Sequence, residues 1–229
     1  MISLFTDISQ EVISGIALGS IYALIALGFT LIYKATEVVN FAQGELMMVG
    51  AFVNFFFVTQ FISSAGEPSL WIFFVALIGS IIFAVAFGWI LDFVINRPLK
   101  DEPIFSVIMA TISLSIILRA IVAMIAGPMS LLPVSPFGEN VIKIGGIVIS
   151  ILDIFIIGSA IILVSLFYYF FNKTRWGIAM QATSEDPIAA QLMGIPVNRV
   201  HALVWIFSAI VATISGILLA PRMSLLDTS

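Results

Sequence analysis

Six separate runs of this sequence are apolar and long enough to cross a lipid bilayer, and no other feature constrains the fold as strongly. A hydrocarbon core of about 30 Å asks for about 20 apolar residues in helical form. The runs cover residues 12–33, 41–62, 70–95, 103–126, 151–171 and 201–220. Lipid cannot satisfy an open strand's backbone groups, so each span must be a helix unless the chain closes a barrel. The alternating segments of a barrel are absent. The expectation is an all-α, polytopic transmembrane helical bundle of six spans, one membrane domain over residues 1–229.

Composition points the same way. The chain is 61% hydrophobic and 10% charged, whereas soluble domains average about 25% charged. A net charge of -4 argues against a nucleic-acid partner, because nothing neutralises a phosphate track. There are no cysteines, which excludes disulfides and thiolate metal sites, and the single His201 excludes a histidine-rich metal cluster. The stretch from Met1 to Glu11 carries acids but no Lys or Arg, unlike the basic start of a secretory signal.

Lys and Arg in the connections set the orientation, since cytoplasmic loops are enriched in them. With the N-terminus outside, Lys34, Arg97, Lys100, Lys173, Arg175 and Arg199 are cytoplasmic, and only Lys143 and Arg222 fall outside. The connections differ in character. Residues 63–69 read as a short external turn, and 96–102 as a short internal one, with Pro98 and Pro103 marking helix ends. In the external loop 127–150, two β-branched runs (141–144 and 147–150) flank Gly145-Gly146. They read as a small hairpin or as an irregular loop.

The connection 172–200 is the most informative. Ser184 or Asp186 can cap a helix, Pro187 suits its first turn, and Glu185 and Asp186 favour the positive dipole end. Residues 188–193 then form a short helix with Ile188, Leu192 and Met193 on one side, stopped by Gly194 and Pro196. Two readings are open: a protein-docking ridge on the cytoplasmic face, or a helix resting in the lipid interface.

Four further features carry candidate roles. Gly15, Gly19 and Ala23 recur every four residues, with Ala26 and Gly28 beyond, a spacing that lets helix backbones approach closely. Residues 35–44 are polar for a membrane protein: Thr36, Glu37, Asn40 and Gln43, followed by Glu45. They line a cavity at membrane depth or form a solvated turn. Arg119 is the one basic residue inside a span; it snorkels, pairs structurally, or faces the translocation path. Asp92 and Asp153, near span ends, read as solvated or capping residues, and Tyr168, Tyr169 and Trp176 as interfacial anchors.

Three stretches give the chain a family resemblance. Residues 177–195, with Ala189-Ala190, three spacers and Gly194, resemble the cytoplasmic coupling loop of ABC importer permeases, in which a Glu-Ala-Ala triplet precedes three spacers and a Gly. Ile188 stands at the Glu position. The run from Gly15 to Tyr33, and Val39-Asn40-Phe41-Ala42-Gln43-Gly44-Glu45 through Gly50, are similar to the first and second helices of the branched-chain amino acid permease family. The resemblance covers essentially the whole chain. Members usually continue with further membrane helices, so Ser229 reads as a C-terminal truncation.

What the resemblance implies is a permease subunit of an ABC importer in the bacterial inner membrane, working by ATP-driven alternating access. Glu185, Asp186, Ile188, Ala189, Ala190, Leu192, Met193 and Gly194 would form the ATPase-coupling loop. Asn40, Gln43, Glu45 and Arg119 are candidates for the translocation path, and Gly15, Gly19, Ala23 and Gly28 for helix packing. No phosphate-binding Gly-x-x-x-x-Gly-Lys-Ser/Thr loop is present. The chain is therefore expected to be no enzyme and to hold no cofactor, with ATP and Mg on cytoplasmic ATP-binding subunits. A second permease subunit, an external solute-binding protein and a small-molecule substrate complete the implied partners. Alternatives are a urea or short-amide permease of the same family, or an ion-coupled secondary transporter. Ion coupling commonly needs acids deep in the bundle, and Glu45, Asp92 and Asp153 read as peripheral.

Overall fold

In a computed structural model, residues 2–65, 70–99, 102–127, 141–144 and 147–223 are described. The helices are α1 (Ile2–Thr36), α2 (Gln43–Ala65), α3 (Leu70–Leu91), the one-turn α4 (Arg97–Leu99), α5 (Ile104–Ala126), α6 (Ile151–Lys173), α7 (Arg175–Glu185), α8 (Pro187–Leu192) and α9 (Val197–Met223). A π-helical turn, Asp92–Asn96, joins α3 to α4. Six helices among the described residues are long and apolar enough to cross a membrane. Each overlaps a run expected from the sequence, with α2 and α5 beginning at Gln43 and Ile104 rather than at Phe41 and Pro103, so the chain is a polytopic helical membrane protein. The expected turn at 63–69 begins later, because α2 continues through Ala65; its remaining residues lie outside the described ones. Pro98 sits inside α4 rather than ending a helix. Pro103, which has no N–H to give up, stands at the start of α5.

The small hairpin forms. β1 (Val141–Ile144) pairs antiparallel with β2 (Ile147–Ser150), Val141 opposite Ser150 and Ile144 opposite Ile147. Ser150 then caps α6 by accepting from the Leu152 N–H at 3.3 Å.

The bundle is organised around α9. The Ser208 hydroxyl donates to the Gly28 carbonyl, while Arg222 and Ser14 meet at Asp153. α1 and α9 therefore run antiparallel. Gly88 lies against Trp205 and Ile206, and Asn96 lies 3.5 Å from His201, so α3 is also antiparallel to α9. α9 can sit this close because its neighbours offer glycine. A Cβ on Gly88 would stand 2.8 Å from the Trp205 carbonyl oxygen, and one on Gly50 of α2 would stand 2.6 Å from Thr213 Cα. At Gly216 it would strike the Met47 carbonyl. Without a hydrophobic force between helices in lipid, such close packing and buried hydrogen bonds are what hold spans together.

The Gly15, Gly19 and Ala23 stripe requires a correction. All three are exposed, and nothing approaches the Cβ positions of Gly15 and Gly19 within 4 Å. Among the described residues no helix packs against Gly15 or Gly19. Only Gly28 of the expected set is a close approach, against Gln43 and Val211.

Candidate coupling segment and membrane-depth polar site

α7 and α8 form a bracket at one end of the bundle. Thr174 ends α6 and caps α7, accepting from the Gly177 N–H at 3.0 Å. Gly177 is jammed against the Phe170 carbonyl and Phe171, so α7 folds back sharply on α6. Gln181 Nε2 donates to the Phe171 carbonyl at 3.0 Å, satisfying one of the orphan acceptors at α6's end. Met180 and Thr183 are buried on the inner face of α7. The bracket is thus anchored to the end of a span.

α8 starts as the sequence indicates. Asp186 is its cap, its Oδ1 accepting from the N–H groups of Ile188 and Ala189, both at 2.9 Å, with Pro187 in the first turn. Ser184, the other candidate cap, lies instead inside α7, where its hydroxyl donates to the Gln181 carbonyl. The end of α8 is a Schellman motif. Gly194 has φ +83°, its N–H donates to the Gln191 carbonyl, and the Ile195 N–H donates to the Ala190 carbonyl. Ala190 is buried, whereas Ile188, Leu192 and Met193 are 73%, 84% and 84% exposed, and Ala189, Glu185 and Asp186 are exposed beside them. Of the expected set, one alanine faces in and the apolar ridge faces out. α7 was not foreseen; its readable signal is Thr174 before an amphipathic turn.

The polar stretch after α1 returns into the bundle. Glu37 takes φ +56° and turns the chain. Asn40 and Gln43 then become fully buried, at 1% and 0% exposure. Asn40 Oδ1 accepts from the Ala42 N–H at 3.0 Å, and Gln43 Oε1 shares the one Ser208 hydroxyl proton with the Gly28 carbonyl, each acceptor 3.0 Å from Oγ. Gln43 also packs on Gly28, six residues up α1 from Lys34, or about 9 Å at 1.5 Å per residue. The solvated-turn reading therefore fails for Asn40 and Gln43. Their side-chain amide nitrogens, Nδ2 and Nε2, have no hydrogen-bond partner among the described residues. One further contact beside them is ionic. Glu45, 8% exposed, accepts from Arg119 Nη2 of α5 at 2.8 Å, and the Arg119 side chain is 53% exposed. Arg119 pairs across helices, reaching the first turn of α2.

Two buried carboxylates were expected at the periphery and are not there. Asp92, with no exposure, accepts from Asn96 Nδ2 at 2.8 Å and Arg97 Nε at 3.0 Å. The π turn is what makes this possible, since it brings residues five apart onto one side. Asp153, 3% exposed, accepts from Ser14 of α1 at 3.2 Å and lies 3.3 Å from Arg222 Nη1 of α9. Burial follows because each carboxylate meets an arginine there. A cavity of about 720 Å³ opens beside Asp92, with Lys34, Glu37, Thr183, Gln191 and Arg199 also on its walls. Tyr168, Tyr169 and Trp176 are exposed near the α6–α7 junction.

Six apolar helices, a buried polar centre and an exposed bracket at one end define a multi-pass membrane protein. Residues 12–227 match the family model described as branched-chain amino acid transport system / permease component. The chain is 31% identical over 216 residues to the high-affinity branched-chain amino acid transport system permease protein LivH of Escherichia coli, covering 92% of this chain and 70% of that one. It is 30% identical over 224 residues to the corresponding protein BraD of Pseudomonas aeruginosa, covering 95% and 72%. A shorter stretch of 63 residues is 33% identical to the fructose import permease protein FrcC of Rhizobium meliloti, covering 28% and 18%. No solved structure matches. The chain belongs to the branched-chain amino acid transport system permease family.

Proposed function

We propose that the chain is the membrane subunit of an ATP-driven importer of branched-chain or related amino acids in a bacterial inner membrane, with its N-terminus outside. The observation that carries the reading is the exposed ridge Ile188, Leu192 and Met193, held on a bracket anchored to a span. An apolar ridge of this kind suits a groove on a soluble partner, and the names of the relatives supply the class of cargo. Cytoplasmic ATP-binding subunits, carrying ATP and Mg, would press on residues 185–194. The anchored α7 would pass that push to α6 and, through its contacts, to α9. A second permease subunit and an external solute-binding protein complete the assembly.

Asn40, Gln43, Glu45 and Arg119 are the proposed polar lining of the path. Spare amide N–H groups at membrane depth suit the carboxylate of a zwitterion, and the half-exposed ion pair offers both signs of charge. Ion coupling is disfavoured on new grounds. The buried acids among the described residues, Glu45, Asp92 and Asp153, are each held by an arginine. The charge of each carboxylate is already met by its own arginine, so none is left to hold a coupling cation.

The test replaces Ile188, Leu192 and Met193 with Glu and measures both ATP-dependent leucine uptake in vesicles and co-purification of ATPase subunits. Loss of both, with normal membrane insertion, is expected. Undiminished uptake would remove the coupling assignment.

A further inference from the structure

We infer that a groove between α1, α6 and α7 seats one anionic phospholipid, its acyl chain along the groove and its phosphate at the Lys34 ammonium. This rests on α1 and α6 crossing a bilayer and not on the cargo or the motor.

The groove encloses about 520 Å³. Ala23, Ala26 and Thr30 form one wall, and Val164, Phe167 and Phe171 the other. Short side chains on α1 make the trough, since Ala23 and Ala26 are exposed and end at Cβ. Thr30 turns its hydroxyl back to the Ala26 carbonyl at 2.7 Å, leaving the groove wall apolar.

Its length fits one occupant. From Ala23 to Lys34 the helix rises about 16 Å. Half of a hydrocarbon core of about 30 Å is about 15 Å. The groove therefore runs from the headgroup layer to the midplane, the reach of a single acyl chain.

The polar end selects the headgroup. Asn172, Gln181 and Ser184 line it; the Ser184 hydroxyl is spent on the Gln181 carbonyl, and the two amides each give one N–H to the carbonyls of Tyr168 and Phe171, which leaves one N–H apiece beside Lys34. Lys34 makes no hydrogen bond or ion pair among the described residues. No carboxylate lines this groove, whereas in the cavity beside Asp92 the carboxylates of Asp92, Glu37 and Glu102 stand among Lys34, Arg97 and Arg199. Lys34, exposed where this apolar trough meets the neighbouring cavity, favours an anionic over a zwitterionic lipid. Because Met180, Gln181 and Ser184 of α7 form the third side, an occupied groove braces the arm that carries α8.

The experiment is native mass spectrometry of the whole membrane protein released from nanodiscs of phosphatidylglycerol and phosphatidylcholine with identical chains. The unmodified protein should retain one lipid, preferentially phosphatidylglycerol. Lys34→Gln should cut that preference by about fivefold, the factor one basic residue near a charged surface contributes. Ala26→Phe, which fills the trough, should remove the retained lipid. Ile162→Phe, on an exposed face of α6, should leave retention unchanged. Equal retention across all four proteins would overturn the inference. So would a photo-cross-linker at position 30 that captures protein instead of lipid, which would mean that another helix fills the groove. Lys34→Gln removes only an exposed charge and keeps the test valid if Ala26→Phe does not fold.

Discussion

α9 and α5 are both apolar enough to span a membrane, yet 67% of the core window of α9 is buried inside the chain and only 22% of that of α5. From Val211 to Leu218 every residue of α9 is buried, Thr213 and Ser215 included. On α5 burial is confined to Thr111, Leu114, Leu118 and Val122, one stripe that recurs every three or four residues. Apolar length places a helix in lipid, but it does not say which helix the others surround. That depends on glycine on facing helices and on small hydroxyl residues that bond within the bundle.

The comparison can be broken or sharpened by substitution. The largest effect is expected at the α2–α9 crossing. Gly216→Leu has no space against the Met47 backbone, and should destabilise the protein by at least about 3 kcal/mol, the upper range for overpacking. Thermal unfolding in detergent measures it; a small shift would mean that the two helices are not in contact. Next comes Asp153→Ala, which strands Arg222, and a cost of about 3 kcal/mol is expected for breaking such a pair. The double variant with Arg222→Ala should recover part of that loss, and a strictly additive result would show that the pair is not coupled. Smaller is Ser208→Ala on α9, about 1 kcal/mol for a buried hydrogen bond. Ile116→Ala on the exposed face of α5 should stay within about 0.5 kcal/mol. Equal effects at Ser208 and Ile116 would erase the distinction between centre and edge.

Much of the fold was legible because a span is a local property. A run such as 151–171 carries its own signal, and α6 follows it to Lys173. Asp186, Pro187 and Gly194 likewise announce α8, since capping and a left-handed stop are decided within a few residues. What was not legible depends on partners far along the chain. Asp153 is buried only because Ser14 and Arg222 converge on it, and Glu45 because Arg119 reaches it across 74 positions. Asp92 and Arg97 are close in sequence but meet only through a π turn, which a regular α-helical spacing does not anticipate. For the Gly15 stripe the spacing was real, but no described helix packs against Gly15 or Gly19.

The pairing of every buried acid described here with an arginine has an electrical consequence. One elementary charge moved across 100 mV exchanges about 2.3 kcal/mol with the membrane field. Glu45 with Arg119, Asp92 with Arg97, and Asp153 with Arg222 each sum to zero. If the helices shift as units, these couples travel through the field as dipoles and carry almost no gating charge. Under the proposed mechanism the resting voltage would then act very little on these three pairs, and the push on α8 would be what moves them.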